Sequence, residues 1–415
     1  MKFLTLGLAI LLTACGGGSS GDPTTTTPVS KSATEPAAQP LFRQVQNQID
    51  SINIGITYAV GDLNGDGLDD VVAGGWSERA TSTLNILIQN ADGTLTDKTL
   101  ELVGSNLYPG SNRILISDFD HDGHLDIWLP GFNDFCNDCS ALSVMLWGSA
   151  LGKFTKQTFD VGLNSHGACL ADMNRDGNMD MLVRGQFHDN GETFYGYYLN
   201  NGNRTFTFVS ALYANGASNC TVITDTITGH LAITQGNNPG GNHVPGYNSS
   251  INILDSNLNL IKQIGVASSG RPGDDFINSI SVDANGDGLE DFILIFGSSA
   301  DRGRKEVWLN LGNDNFSYAY TLDTGYMNSV YSQRIYYNGK TYLFFDGPQG
   351  DAVLYQLDNG KFVTHKRDSF LTMATSLGGN IKVNDWSVKG AVVYRGQSGL
   401  YMFQNINGKY HTQKL

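Results

Sequence analysis

Apolar residues along this chain come in short runs. Ile127-Trp128-Leu129 after Asp126 and Phe292-Ile293-Leu294-Ile295 after Asp291 are examples; their length and their β-branched and aromatic content predict buried strands. Further β-rich runs at residues 84–93, 307–314 and 400–408 end in Asn/Asp/Gly turns. The alternation of such runs with turns predicts units of four short strands. No stretch holds a 3.6-residue apolar period for three turns, so helix is not expected.

The first forty residues follow a different pattern. Met1-Lys2-Phe3 leads into an apolar stretch, residues 4–12, that closes on Leu12-Thr13-Ala14-Cys15. Residues 1–14 therefore read as a signal peptide, too short to span a bilayer. The ending resembles a bacterial lipobox, which implies that Cys15 is acylated and becomes the first mature residue. No Asp follows Cys15, and by the same resemblance this favours the outer membrane or cell surface. Residues 15–40 are Gly, Ser, Thr, Pro and Ala with almost no large apolar side chain, so they read as a flexible tether. Gly17, Ser19 and Gly21 match a nucleophile-elbow pattern in letters only, because no strand precedes them and no helix follows. Residues 41–415 form the one folded domain expected.

Within that domain a nine-residue segment recurs. The copies are Asp62-Leu63-Asn64-Gly65-Asp66-Gly67-Leu68-Asp69-Asp70, Asp118-Phe119-Asp120-His121-Asp122-Gly123-His124-Leu125-Asp126, Asp172-Met173-Asn174-Arg175-Asp176-Gly177-Asn178-Met179-Asp180 and Asp283-Ala284-Asn285-Gly286-Asp287-Gly288-Leu289-Glu290-Asp291. Their starts lie 56, 54 and 111 residues apart, and the double gap predicts a worn copy between, found around Asp225 and Gly229. Residues 334–345 and 383–394 keep the rhythm. The expectation is thus seven units of about 54 residues. Four-stranded units at this period predict an all-β, seven-bladed β-propeller, since one blade cannot bury both faces and a ring of blades can.

The segment has the chemistry of a hard-cation loop. Side-chain oxygens fall at positions one, three, five and nine: Asp62, Asn64, Asp66 and Asp70; Asp118, Asp120, Asp122 and Asp126; Asp172, Asn174, Asp176 and Asp180; Asp283, Asn285, Asp287 and Asp291. Position six is Gly, which permits a sharp bend. Position seven (Leu68, His124, Asn178, Leu289) would give its carbonyl, and about four Ca²⁺ are expected in all. An EF-hand places a Glu at position twelve, where this chain has Ala73, Leu129, Val183 and Leu294 inside apolar runs. The loops therefore join two strands rather than two helices. In this the segments resemble FG-GAP or VCBS-type repeats, like those of the integrin alpha-subunit propeller. That resemblance implies calcium loops between strands one and two of blades 1, 2, 3 and 5. In the sixth unit Asn338-Gly339 replaces the loop with a turn that closes a hairpin unaided.

Charge and cysteines narrow the functional classes. The formal charge of −14 argues against a nucleic-acid partner, which needs a basic face. Much of the acid belongs to the loops and is explained as ligand. Besides Cys15 there are Cys136, Cys139, Cys169 and Cys220, an even number in an exported chain, so oxidised pairs are expected. Cys136 and Cys139 share one loop, and Cys169 and Cys220 sit at similar points of successive units; a zinc site from all four is the alternative.

The face opposite the loops is the expected ligand face. Asn112, Arg113, His166, Asn219, Asn278, Asn328 and Asn380 lead into successive first strands, and Trp76, Phe132, Phe187, His188, His243 and Tyr247 follow the second strands. Aromatic rings beside amide and guanidinium groups suit a glycan or a protein segment; alternatively the Asn residues tie off strands and the rings wedge blades together. The expected role is a surface-anchored binding or adhesion module. The rivals are a propeller-based polysaccharide-degrading enzyme, with His166, Arg113 and His188 as its candidates, and a structural subunit of an outer-membrane complex. Against catalysis, the paired carboxylates all fall in the loops and no H-E-x-x-H is present.

Overall fold

The computed structural model describes residues 57–74, 81–111, 113–131, 142–159, 163–187, 193–210, 220–235, 249–266, 276–296, 304–322, 331–346, 351–369, 391–406 and 409–414, all within the compact unit Pro40–Leu415. Blade 1 consists of Thr57–Gly61, Asp70–Gly74, Asn85–Gln89 and Leu95–Asp97. Blade 2 consists of Leu115–Ser117, Asp126–Leu129, Ser143–Trp147 and Thr155–Phe159. Leu163–Ala171, Asp180–Phe187, Thr193–Asn200 and Phe206–Ser210 make blade 3. Val222–Thr224, Leu231–Gln235, Ser249–Leu254 and Leu260–Val266 make blade 4. Blade 5 is Phe276–Val282, Asp291–Phe296, Lys305–Asn310 and Phe316–Thr321, and blade 6 is Tyr331–Tyr337, Lys340–Asp346, Asp351–Asp358 and Lys361–Ser369. A last sheet has three strands, Ala391–Gly396, Gly399–Ile406 and Lys409–Lys414. In every one of these sheets the strands lie side by side in chain order and antiparallel.

First strands of neighbouring sheets lie against one another: Thr57–Gly61 on Leu115–Ser117, Leu163–Ala171 on Val222–Thr224, and Phe276–Val282 on Tyr331–Tyr337. The first strand is therefore innermost, and the fold is an all-β β-propeller. Ala391–Gly396 lies against both Tyr331–Tyr337 and Thr57–Gly61, so the three-stranded sheet fills the sector between blades 6 and 1.

The count of seven four-stranded blades is corrected to six. The last sheet also takes a different register from the one expected, in which residues 383–394 run from loop into second strand. Here Ala391–Gly396 holds the inner position and residues 400–406 lie in the second strand, because a tight turn at residues 397–398 replaces a metal loop. Residues 383–390 lie outside the described residues, as do Cys15, Trp76, Asn112, Phe132, Cys136, Cys139, His188, Asn219, His243, Tyr247, Asn328 and Asn380.

The apolar runs are buried because each inner strand is covered on both faces. Trp128, Met145 and Trp147 of blade 2 pack with Leu170, Met181 and Val183 of blade 3. Ile293 and Val307 of blade 5 meet Leu343, Phe345 and Val353 of blade 6. Val393 and Leu400 join Phe344 and Leu354 of blade 6, and Tyr394 and Tyr401 join Tyr58, Val60 and Val71 of blade 1. Such strands show continuous burial rather than alternation, whereas the outer strand Thr155–Phe159 is half-exposed along its length. The only helix among the described residues is Thr99–Val103, ended by Gly104 in the left-handed conformation.

Two kinds of bond sew the seams between sheets. Gln89 donates its carboxamide to the carbonyls of Asp69 (2.6 Å) and of Arg395 in the last sheet (2.9 Å); Asn200 does the same to Phe119 of blade 2 (2.6 Å) and Met179 (3.3 Å). The covalent bond is Cys169–Cys220, with Cα atoms 5.7 Å apart, joining the first strand of blade 3 to the start of blade 4. A disulfide here takes both sulfurs out of the zinc alternative.

Candidate functional site

The four nine-residue segments lie between first and second strands of blades 1, 2, 3 and 5, all at one end of their sheets. Each is folded by its own side-chain oxygens. Asp62 accepts the Asp66 and Gly67 N–H groups at 3.0 and 2.9 Å; Asp118 accepts those of Asp122 and Gly123 at 3.2 and 3.0 Å; Asp172 repeats this at 3.1 and 3.0 Å. In blade 5, Asp283 takes Gly286 and Gly288 at 2.7 and 3.0 Å. The position-three oxygen of Asn64, Asp120, Asn174 or Asn285 accepts the N–H two residues on. The position-five carboxylate then accepts the N–H of Leu68, His124, Asn178 or Leu289 at 2.8 to 2.9 Å. These are Asx-type bonds, which curl the backbone and bring the oxygens to the inside of the bend.

The bend needs left-handed backbone at two positions. Position six has φ between 86° and 91° at Gly67, Gly123, Gly177 and Gly288, as its glycine predicts. Position four is also left-handed, at Gly65 and Gly286 and equally at His121 (φ 60°) and Arg175 (φ 62°). The glycines at position four in two copies are the only trace of this in the sequence.

Position nine has a second job that sequence reasoning missed. Asp70, Asp126, Asp180 and Asp291 are fully buried. One carboxylate oxygen accepts the position-two N–H, from Leu63, Phe119, Met173 or Ala284, at 2.7 to 2.9 Å. The other accepts a backbone N–H at the end of the third strand, from Gln89, Gly148, Asn200 or Asn310, at 2.7 to 2.8 Å. Burial pushes these carboxyls up from 3.8 to about 7, 8, 6 and 7 in the same order, against the pull of the two donors. Position twelve is apolar and buried, at Ala73, Leu129, Val183 and Leu294.

In blades 2 and 4 the first-to-second connection is met by the next blade's third-to-fourth turn. Arg204, in that turn of blade 3, meets Asp120 of blade 2 at 2.6 Å and Asp122 at 3.6 Å. His121 meets Asn178 of the blade 3 loop at 2.9 Å. The worn loop of blade 4 is held without any full motif: Asp225 accepts the Ile227 and Thr228 N–H groups, while Thr228 and His230 both bond Asp314 of blade 5, at 2.9 and 2.7 Å. In blade 6, Asn338 and Gly339 both have positive φ (49° and 69°), the geometry of a type I′ hairpin turn. Position eight, which carries no ligand role in the motif, is an ion-pair partner in two loops. Asp69 takes Arg395 of the last sheet, with Nε at 2.8 Å, and Glu290 takes Arg334 of blade 6 at 2.7 Å.

The residues fit a hard divalent ion. Oxygens bound to one Ca²⁺ at 2.3–2.6 Å stand no more than about 5 Å apart. In blade 2 one oxygen each from Asp118, Asp120 and Asp126 lie within 4.8 Å of one another. In the other three loops Asn replaces Asp at position three, so the cage keeps its oxygens with one charge fewer.

The opposite face is where the segments leading into first strands and the second-to-third connections are expected, and most of those residues lie outside the described ones. Among its expected residues, Arg113 is buried, with its backbone tied to the Ser111 hydroxyl. Asn278 is fully buried and donates to Ser332 of blade 6 at 3.3 Å. Both stand inside the ring wall rather than on an open surface, because the first strand is innermost and covered on both sides. His166 sits in the first strand of blade 3 at an irregularity, where Ser165 and Gly167 pair with consecutive partners and His166 is skipped.

Residues 62–129, from the first loop through the second strand of blade 2, match the FG-GAP-like repeat family. No match is found among curated protein sequences. Among solved structures the chain is similar to the periplasmic gluconolactonase PpgL of Pseudomonas aeruginosa, at 12% identity over 84% of this chain and 96% of that one, TM-score 0.48. It is also similar to AofleA from Arthrobotrys oligospora, at 7% identity over 79% and 88%, TM-score 0.43. A third is the SapL1 lectin solved with alpha methyl fucoside, at 12% identity over 78% and 98%, TM-score 0.42.

Proposed function

We propose that this protein is an exported, calcium-stabilised propeller that acts as a binding or adhesion module, with a glycan or protein ligand on the face opposite its aspartate loops. The carrying observation is the repeated cage, above all the convergence of Asp118, Asp120 and Asp126 within 4.8 Å. Four such loops on one face would take about four Ca²⁺. The ion supplies positive charge that offsets the mutual repulsion of three or four carboxylates and ties the first strand to the second. The loop residues would hold it through the oxygens of positions one, three, five and nine and the position-seven carbonyl. The lipobox-like Leu12-Thr13-Ala14-Cys15 supports lipid anchoring at an outer membrane or cell surface.

The test has two parts. Elemental analysis and calorimetry on the buffer-exchanged protein should find calcium near four equivalents, and chelation should lower the melting temperature; a metal-free protein whose stability ignores calcium defeats the reading. A glycan array and a membrane pull-down with the calcium-loaded protein, with Trp76→Ala and His166→Ala as comparisons, then address the ligand. Ligands indifferent to both changes would move the binding surface elsewhere, and turnover of a polysaccharide would replace binding by catalysis.

A further inference from the structure

One buried carboxamide bridges two of the aspartate loops. Asn200, buried at the end of the third strand of blade 3, gives its backbone N–H to Asp180, position nine of its own loop, at 2.8 Å. Its side-chain N–H groups go to two carbonyls: Met179 of the same loop at 3.3 Å, and Phe119 of the blade 2 loop at 2.6 Å. Phe119 stands between Asp118 and Asp120 in the chain, and its own N–H goes to Asp126, position nine of blade 2, at 2.8 Å. A line of hydrogen bonds thus runs from Asp180 through Asn200 and Phe119 to Asp126. We infer that Asn200 is a positioning residue shared by the blade 2 and blade 3 loops, so that calcium in one tightens binding in the other. The coupling holds only if the loops bind calcium as proposed.

The turn that Asn200 opens makes further contacts on the same line. Its side-chain oxygen accepts the Gly202 N–H at 3.0 Å, and Gly202 lies against Asn178, position seven of blade 3, where an added Cβ would stand 3.1 Å from the Asn178 side-chain oxygen. Arg204 of this turn reaches Asp120 of blade 2. His121 also joins the two loops at Asn178, but that bond is exposed, and water competes for it. Filling the blade 3 loop would fix Asp180 and Asn178 and, with them, the turn. The blade 2 loop is then held before its own ion arrives, so less ordering entropy remains to be lost.

The other seams lack this link between full loops. Gln89, Gly148 and Asn310 hold the place of Asn200 in blades 1, 2 and 5, each giving its N–H to position nine. Gly148 has no carboxamide to reach the blade 1 loop, and a Cβ there would stand 2.4 Å from the Leu125 carbonyl oxygen. Gln89 reaches Arg395, in a sheet whose tight turn carries no motif. The turn after Asn310 meets the worn loop of blade 4, where the Asp314 N–H lies 3.3 Å from Asp225. Among the described residues, blades 2 and 3 are therefore the coupled pair, and blades 1 and 5 should bind independently.

Hydrogen exchange of the full chain across a calcium titration reads each loop by its own amides. Asp176→Ala removes a carboxylate of the blade 3 cage. It should raise the calcium concentration that half-protects residues 118–126 by about 5-fold, the low end of coupling between sites. Asp66→Ala, the same change in blade 1, should leave that midpoint where it is. In an Asn200→Ala background, which keeps the N–H to Asp180, Asp176→Ala should no longer move it. Should Asn200→Ala fail to fold, Asn200→Gly, the residue blade 2 carries at this place, takes its part. A blade 2 midpoint that ignores Asp176→Ala, or that falls with it as repulsion between two ions would require, overturns the coupling. So does an equal rise from Asp66→Ala, or a rise that persists without the Asn200 carboxamide. Calcium that protects none of the four loops overturns the calcium cage itself, and the coupling with it.

Discussion

The Arg204 guanidinium lies 2.6 Å from the Asp120 carboxylate, and its Cζ stands over the Trp147 ring, 5.1 Å from the ring centre. A cation from blade 3 therefore sits on a side chain that the blade 2 cage would turn toward calcium. The two positive charges compete for one carboxylate, although blade 2 alone has four acidic side chains at the ligand positions. Arg204→Met, which keeps apolar cover over the indole, is expected to tighten calcium binding at one of the four loops by about 3- to 10-fold, the effect of removing one nearby like charge from a partly exposed site. Calorimetry on the variant checks this. An unchanged isotherm would mean that the arginine yields to the ion without competition.

Positions three and nine of the same loop should behave differently when removed. Asp126→Ala leaves the buried N–H groups of Phe119 and Gly148 without acceptors, so it should lower stability by about 2–4 kcal/mol even in chelator. Asp120→Ala breaks the Arg204 pair and one cage oxygen but leaves the core ladder intact. Its stability loss in chelator should stay below about 1 kcal/mol, while calcium binding at that loop is weakened. Urea titrations with and without calcium separate the two; equal losses in chelator would show that position nine is a ligand only.

The metal-free protein should lose stability as pH rises. Burial raises Asp70, Asp126, Asp180 and Asp291 from 3.8 to about 7, 8, 6 and 7, so between pH 4 and 8 the folded chain binds protons that the unfolded chain does not. The contribution is full below about pH 4 and is lost as pH climbs through 6 to 8. Melting temperatures in chelator across this range should fall, and saturating calcium should flatten the fall. A chelated protein that grows more stable between pH 5 and 8 would contradict the burial argument.

Gly93 marks the seam that joins the last sheet to blade 1. Its φ is +86°, its carbonyl accepts the Tyr394 hydroxyl at 2.6 Å, and a Cβ built there would stand 2.3 Å from the Tyr401 ring. Gly93→Ala combines left-handed strain with a displaced ring and should cost about 2–4 kcal/mol. The loss should be the same with and without calcium, since no candidate ligand is touched. A variant as stable as the parent would mean that this seam carries little of the ring's stability.

Much of this arrangement is legible in the order of residues. The alternation of apolar runs with Asn/Asp/Gly turns points to blades of four strands, because a strand buried on both faces must be apolar throughout. The nine-residue spacing places each loop between the first two strands, and Asn338-Gly339 announces a bare hairpin. The last unit is the exception, displaced by one strand from its expected place, since its turn at residues 397–398 carries no motif and a repeat rhythm alone does not say which strand is innermost. The burial of Arg113 and Asn278 in the inner ring wall is not legible in the sequence, because polarity does not say whether a residue is exposed.

What is local follows from the residues alone: which oxygens share a loop, where glycine must bend it, and which runs become strands, each fixed within about ten residues of chain. Which turn lies over which loop is a property of the assembled ring, and with it come the pairs Arg204 with Asp120, Arg395 with Asp69 and His230 with Asp314. Those partners are 84, 326 and 84 residues apart. They meet because the ring sets blade beside blade, a condition no local pattern of side chains encodes.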